Sequence, residues 1–138
     1  MPRTRLPADL LLAYRLADYE VVMSPLGQTP RRLGLRVTRR APELDAWLRA
    51  HAPASAMLLT ACNPRSRPLG YAANRMRNGA LRRSLRAHGL DGWSTTASDP
   101  TGIWPDEPGL LVAGIDRGSA ARWGRRYKQN AVLWLEAG

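Results

Sequence analysis

The chain has 138 residues, enough for one domain that buries roughly two-thirds of the surface of the unfolded chain. Its single cysteine, Cys62, excludes an intramolecular disulfide, and two histidines are too few for a structural zinc site. No apolar run approaches the roughly 18 residues of a membrane-spanning helix, and the start of the chain lacks the pattern of a secretory signal. The sequence therefore predicts a cytoplasmic protein without a membrane partner.

The formal net charge is +10, and arginine supplies all the basic residues except Lys128. Because arginine binds phosphate and carboxylate through paired hydrogen bonds, this composition favours a polyanionic partner such as nucleic acid. A genomic bias toward arginine codons explains the same composition, since the arginines are spread along the chain. Composition alone leaves both interpretations open.

The first half of the chain predicts a helix, a hairpin and a second helix. Residues 8–17 have helical spacing, and the runs 19–23 and 33–37 are typical of two strands joined by a connection that contains proline and glycine. Pro42 begins the second helix, which we expect to end near 51–53. The inward stripe of this helix is predicted to be Leu44, Trp47 and Leu48.

The second half combines short apolar strands with one long helix. The run 56–61 is apolar except for Thr60, which is typical of a central strand buried on both faces. A helix is predicted over 72–88 with Gly89 as its left-handed cap, and Asp116 or Ser119 is expected to cap a final short helix. The remaining predicted strands cover 92–97, 109–115 and 130–135.

This order of elements has no repeats and no linkers. It predicts a single α+β domain over residues 1–138, in which a mixed sheet of about five or six strands is covered by helices. Oligomeric state is left open by these patterns.

The long helix has polar groups on both of its faces. At 100° per residue, Arg77 falls in the middle of the apolar face and Asn74 at its edge, so both need partners inside the protein. The opposite face is basic, and we consider it a candidate nucleic-acid surface, which Arg65 and Arg67 in the preceding loop would extend. A solvated helix face explains the same spacing. The candidate residues on the helix are Arg75, Arg82, Arg83 and Arg86.

Carboxamides and acids lie at the ends of the apolar runs, where α/β folds tend to place ligands. We call this set the carboxamide cluster, with Tyr19 and Trp104 as candidate walls; its members are Asn63, Asn74, Arg77, Glu107, Gln129 and Asn130. These groups suit a small polar or phosphate-bearing ligand. A purely structural network is the alternative, with the arginine and the glutamate as a buried ion pair.

Three further features of the sequence contain residue types that can carry chemistry. Asp99, Asp106 and Glu107 lie in one predicted loop and could hold a magnesium ion. A metal-dependent nuclease would have a lysine just after the second acid, and none stands there. We therefore interpret these residues as solvated loop acids and turn caps, and no metal or cofactor is predicted. Cys62 is interpreted as a buried apolar residue and not a nucleophile. The two histidines, His51 and His88, are expected to serve the last carbonyls of their helices.

Several residues in order carry a family resemblance over nearly the full length. They are Ala13, Tyr14, Arg15, Tyr19, the run 60–64, Asn74, Asp99, Gly102, Trp104, Glu107, Gly114 and the run 129–131. On these residues the chain resembles the domain of unknown function 3293 family of small bacterial proteins. Two positions differ from what the resemblance implies. The chain has Gly109 where the resemblance implies serine, and Lys128 where it implies glycine. The resemblance supports the fold and the cytoplasmic location, and it implies no particular reaction.

The leading hypothesis is a binding module for an anionic partner, either nucleic acid on the basic helix face or a phosphate-bearing small molecule in the carboxamide cluster. One alternative is an enzyme in which Glu107 of that cluster acts as acid or base. Another is an accessory subunit that binds an acidic protein.

Overall fold

The computed structural model describes residues 16–24, 27–37, 39–103 and 105–137. The helix predicted over 8–17 falls almost entirely outside these stretches. The strands are β1 (Asp18–Met23), β2 (Arg31–Leu35), β3 (Ser55–Leu59), β4 (Trp93–Ser98), β5 (Glu107–Ala113) and β6 (Leu133–Glu136). The helices are α1 (Pro42–Leu48), α2 (Tyr71–Ala87) and α3 (Arg117–Arg126), and a short 3₁₀ helix spans Pro64–Ser66.

The six strands form one sheet in the order β2-β1-β4-β5-β3-β6, and helices pack on it, which confirms the α+β class and the β1–β2 hairpin. The prediction of a mixed sheet is corrected, because every neighbouring pair is antiparallel. Helix α2 connects β3 to β4, and these two strands run in the same direction. However, β5 lies between them and pairs with both, so no parallel pair forms.

The two faces of the sheet have separate cores. On one face, Leu81 and Leu85 of α2 and Ala120 of α3 pack with Met57 and Leu59 of β3. The opposite core contains Leu44 and Leu48 of α1, together with Tyr19, Val21, Leu58 and Leu111 from the strands. Strand β3 faces both cores, so all five of its residues are buried, as predicted for a central strand, although it spans Ser55–Leu59 and not 56–61.

Some predicted boundaries move. Strand β2 ends at Leu35, and Val37 is 47% exposed, because the chain turns at Arg36, whose carbonyl accepts a hydrogen bond from Arg39 N at 3.1 Å. Helix α1 ends at Leu48 instead of near 51–53, since His51 N bonds Leu48 O in a tighter turn.

The last strand starts later than predicted, and the predicted helix caps are confirmed. Strand β6 begins at Leu133 and not at residue 130, because its pairing with β3 begins there. Gly89 has φ +73 and is the predicted left-handed residue after α2. Asp116 caps α3 by accepting a hydrogen bond from Ser119 N at 2.8 Å.

Within the four described stretches, no helix combines the length and the apolar character needed to cross a membrane.

Gly109 lies where two strands and a side chain approach closely. A Cβ atom there would lie 2.8 Å from Leu59 O and 2.9 Å from Thr95 Oγ1, inside van der Waals contact. The serine that the family resemblance implies for this position would meet the same atoms. Glycine at residue 109 is therefore a packing requirement in this chain.

We predict that Gly109→Ala lowers the free energy of unfolding by about 1–3 kcal/mol, because the backbone of β3 must move to admit the methyl group. Gly34→Ala in β2 is the matched control, since a Cβ there meets no atom within 4 Å, and it should be neutral or slightly stabilising. Urea denaturation of both variants measures the difference. Equal stabilities would contradict this account of Gly109.

Candidate functional site

Four segments meet at one edge of the sheet. They are the end of β3, the start of β5, the first half of α2 and the turn after α3. Asn63 follows β3, Asn74 and Arg77 lie on α2, and Glu107 is the first residue of β5. Gln129 lies in the turn between α3 and β6. Hydrogen bonds connect these segments, so the structure brings together the members of the carboxamide cluster that the sequence placed at element ends.

Asn63 and Asn74 form the centre of this arrangement. Asn63 N donates to Asn74 Oδ1 at 2.8 Å, and Asn74 Nδ2 donates back to Asn63 Oδ1 at 2.8 Å. Asn63 Oδ1 also accepts from Leu69 N at 2.9 Å. Asn63 has φ 46, a left-handed conformation that asparagine tolerates better than most residues. These bonds fix the loop between β3 and α2 to the first turn of the helix.

Asn78 is a member of the network that the sequence reasoning missed. Its Oδ1 accepts from Ala61 N at 2.8 Å, and its Nδ2 donates to Pro108 O at 2.8 Å and to Cys62 Sγ at 3.2 Å. Asn78 therefore joins the end of β3 to the start of β5. Its position one helical turn after Asn74, on the same side of α2, was the signal that could have identified it.

Arg77 binds main-chain carbonyls and not a carboxylate. Its Nε donates to Ala61 O at 2.6 Å, and a terminal nitrogen donates to Tyr127 O at 2.9 Å. None of the ion pairs among the described residues includes Arg77 or Glu107, so the buried ion pair proposed for these two residues is wrong. The half-buried guanidinium instead joins β3, α2 and the end of α3.

Glu107 is a half-buried carboxylate held by an amide. Its Oε2 accepts from Asn63 Nδ2 at 3.1 Å. Burial raises the pKa of the Glu107 carboxyl above its usual value, and the hydrogen bond from Asn63 offsets part of that rise. The carboxyl is thus less acidic than an exposed glutamate, as an acid or base near neutral pH would need to be.

The two remaining amides of the cluster tie the turn after α3 to the loop after β3. Gln129 Nε2 donates to Cys62 O at 3.0 Å, and Asn130 Nδ2 donates to Ser66 Oγ at 2.9 Å. Lys128 in this turn has φ 56, a conformation that costs a side chain about 1–2 kcal/mol and costs glycine nothing comparable. This backbone conformation explains why the family resemblance implies glycine there.

Of the two candidate walls, one lies in the core and the other falls outside the residues that the structure describes. Tyr19 is buried in the core on the α1 side, opposite Ala97, which in turn lies opposite Glu107. Trp104 lies outside the described residues. Their roles as walls stay predictions.

The residues considered for other chemistry have local partners. Cys62 is buried, and burial raises the pKa of its thiol, which favours the unreactive protonated form. The Nδ1 atoms of His51 and His88 lie within hydrogen-bond distance of Trp47 O (3.0 Å) and Ser84 O (2.8 Å), as predicted for helix ends. Asp99 accepts hydrogen bonds from its own loop, and no group of three or more potential metal ligands occurs in the described part of the chain.

The charges of this protein are unevenly distributed among its layers. Residues 61–90 contain seven arginines and no acid, and residues 117–130 contain four arginines, one lysine and no acid. These two segments include α2 and α3, which cover the same face of the sheet, and we call them the α2–α3 layer. All eleven acids lie elsewhere, so the rest of the chain has a slight excess of acids.

The basic side chains of this layer are largely exposed. Arg75, Arg83 and Arg86 are exposed, and Arg82 is half-buried with a hydrogen bond to Ser94 Oγ at 3.2 Å. Among the described residues, the layer makes one ion pair with a carboxylate, between Arg86 and Asp91 at 3.8 Å. By contrast, Arg31, Arg32 and Arg36 near β2 pair with Glu43, Glu20 and Asp18.

A comparison with protein families matches residues 59–132, more than half of the chain, to the family described as protein of unknown function (DUF3293). The chain belongs to this family. The matched segment contains the carboxamide cluster and the α2–α3 layer, and it excludes β1 and β2. Neither a curated protein nor a solved structure matches the chain.

We predict that Asn74→Ala lowers the free energy of unfolding by about 1–3 kcal/mol, because it leaves the half-buried N–H of Asn63 without its acceptor. Asn130→Ala is the matched control. Its amide bonds the exposed Ser66 hydroxyl, so its loss should change stability by less than about 0.5 kcal/mol. Chemical denaturation distinguishes the two variants, and a neutral Asn74→Ala would contradict the central position of this side chain.

We predict that Glu107→Gln is more stable than the wild type at neutral pH. The pKa of Glu107 is higher in the folded protein than in the unfolded chain, where it is near 4.5. The stability that the protonated carboxyl contributes is therefore fully present when the pH is below 4.5, and it is lost as the pH rises through the pKa of the folded state. Glutamine stays neutral and keeps an acceptor for Asn63, so the variant and the wild type should converge near pH 4.5.

The control for that measurement is Asp106→Asn, which removes one carboxylate from the exposed neighbouring residue. Denaturation at both pH values should show a stability gain that disappears at the lower pH for Glu107→Gln alone. A Glu107→Gln variant that is less stable than Asp106→Asn at neutral pH would show that burial does not penalise the charged carboxylate.

Proposed function

We propose that this chain is a cytoplasmic bacterial protein that binds nucleic acid on its α2–α3 layer. The observation that supports the proposal is the segregation of charge, since the two helical segments on one face of the sheet together contain twelve basic residues and no acid. A genomic bias toward arginine codons would raise arginine throughout the chain, and it gives no reason for acids to be absent from one layer.

The state of these arginines supports the same conclusion. Most are exposed and lack a carboxylate partner among the described residues, so their charge is available to a polyanion. Neutralising phosphates releases the counterions condensed on nucleic acid, which supplies affinity independent of base sequence. Helix α2 alone presents Arg75, Arg82 and Arg86 within about 40° of one another at 100° per residue.

The carboxamide cluster gives weaker support to a small-ligand site. The amide groups of Asn63, Asn74 and Gln129 are occupied by other protein groups. Two surface depressions are lined mostly by residues of β1, β2 and the segment that leads into α1, and neither contains one of these three amides. The cluster therefore serves the proposal as the support that holds α2 against the sheet.

The test compares two triple variants that lose equal charge. Arg75→Ala, Arg83→Ala and Arg125→Ala remove exposed arginines from the α2–α3 layer, and Arg31→Ala, Arg39→Ala and Arg40→Ala remove exposed arginines near β2. Fluorescence anisotropy with labelled oligonucleotides gives the affinity as a function of salt. The layer variant should lose affinity at every salt concentration, and the slope of log K against log salt should fall by about one for each lost phosphate contact.

The control variant should keep most of the affinity and nearly the full slope. Equal losses in the two variants would show that net charge and not the α2–α3 layer determines binding, and would overturn the proposal. Absence of any binding by the wild type at about 50 mM salt, where electrostatic affinity is strong, would overturn it as well.

A further inference from the structure

Tyr71 is the first residue of α2, and it is 81% exposed. The side chain makes no aromatic contact among the described residues. A single exposed apolar side chain is ordinary on a protein surface. Tyr71 is unusual for its surroundings, since it lies in the segment 61–90, which has no acid and seven arginines.

The tyrosine continues the basic stripe of α2. At 100° per residue, Tyr71, Arg75, Arg82 and Arg86 fall within about 60° of one another around the helix axis. From residue 71 to residue 86 the helix rises about 22 Å, the length of roughly six nucleotides of one strand at 3.4 Å per step. The exposed Arg67 lies in the loop that leads to Tyr71, so cations are present on both sides of the ring in sequence.

An exposed ring in line with cations is the arrangement by which proteins hold unpaired bases. The ring stacks on the face of a base while the cations bind the neighbouring phosphates, and stacking tolerates any base because every base has a π face. In a duplex the faces of the bases are already stacked on each other, so a ring on an exposed helix surface gains nothing from them. The ring therefore distinguishes single strands from duplexes, whereas the arginines do not.

We infer that the α2–α3 layer binds single-stranded nucleic acid, with Tyr71 as a stacking platform for an unpaired base and the arginines of α2 as phosphate contacts. This inference rests on the proposed function and specifies its ligand class. It assigns to Tyr71 a contribution to affinity that is independent of charge. An experiment can therefore test base stacking by Tyr71 separately from nucleic-acid binding by the arginines.

The experiment measures anisotropy with three labelled probes, which are an oligodeoxythymidine, an abasic strand of the same length, and a duplex. Tyr71→Ala should weaken binding of the oligodeoxythymidine about 5-fold to 150-fold, the range that corresponds to loss of one stacked base. Binding of the abasic strand and of the duplex should be unchanged, as should the salt slope for all three probes. Tyr71→Phe keeps the ring and should keep the wild-type affinity.

Met76→Ala is the matched control on the same helix. Met76 is 76% exposed, lies about 140° around the axis from Tyr71 and has no aromatic ring, so its loss should not change the affinity for any of the three probes. Unchanged duplex affinity also verifies that Tyr71→Ala is folded.

The outcomes separate this inference from the proposed function. If the arginine variant loses affinity for every probe while Tyr71→Ala binds the oligodeoxythymidine as the wild type does, the stacking role is overturned and the nucleic-acid surface stands. An equal loss by Tyr71→Ala on all three probes, abasic strand included, would also overturn stacking, because no base is then involved. Failure of the wild type to bind any probe would overturn the proposed function itself.

Discussion

The reciprocal hydrogen bonds between Asn63 and Asn74 determine where α2 begins relative to the end of β3. Asn78 and Arg77, on the next turn of α2, then reach the start of β5 and the end of α3. Four segments that are distant in sequence are thereby held at one edge of the sheet. Since these polar groups are half-buried, each needs a partner, and this arrangement supplies one for each of them.

The network also accounts for the orientation of the basic surface. When the polar side of α2 is bonded to the sheet edge and Leu81 and Leu85 are packed in the core, the arginines on its other side must face solvent. Helix α3 adds its own arginines on the same face of the sheet, and two of them lie over the rings of Trp123 and Trp134. The inward polar groups and the outward charges are thus two consequences of one helix placement, one supporting the fold and the other the proposed binding surface.

Much of the fold could be predicted from the sequence because its signals are local. The apolar run of β3, the helical spacing in α2, the cap at Asp116 and the left-handed Gly89 are set by neighbours within a few residues. The need of Asn74 and Arg77 for internal partners followed from the same periodicity. The absence of acids from the α2–α3 layer is also visible in the sequence, but its meaning depends on knowing that the two segments cover one face.

The sequence by itself determined the α+β class, the order of elements and the identity of the polar groups at their ends. Only the tertiary structure decided that β5 lies between β3 and β4, that Arg77 binds carbonyls and not Glu107, and that Asn78 belongs to the network. Periodicity reports which way a side chain points from its own element. Pairing between strands and the choice among several polar partners depend on contacts between residues far apart in the chain, and these exist only once the whole sheet has assembled.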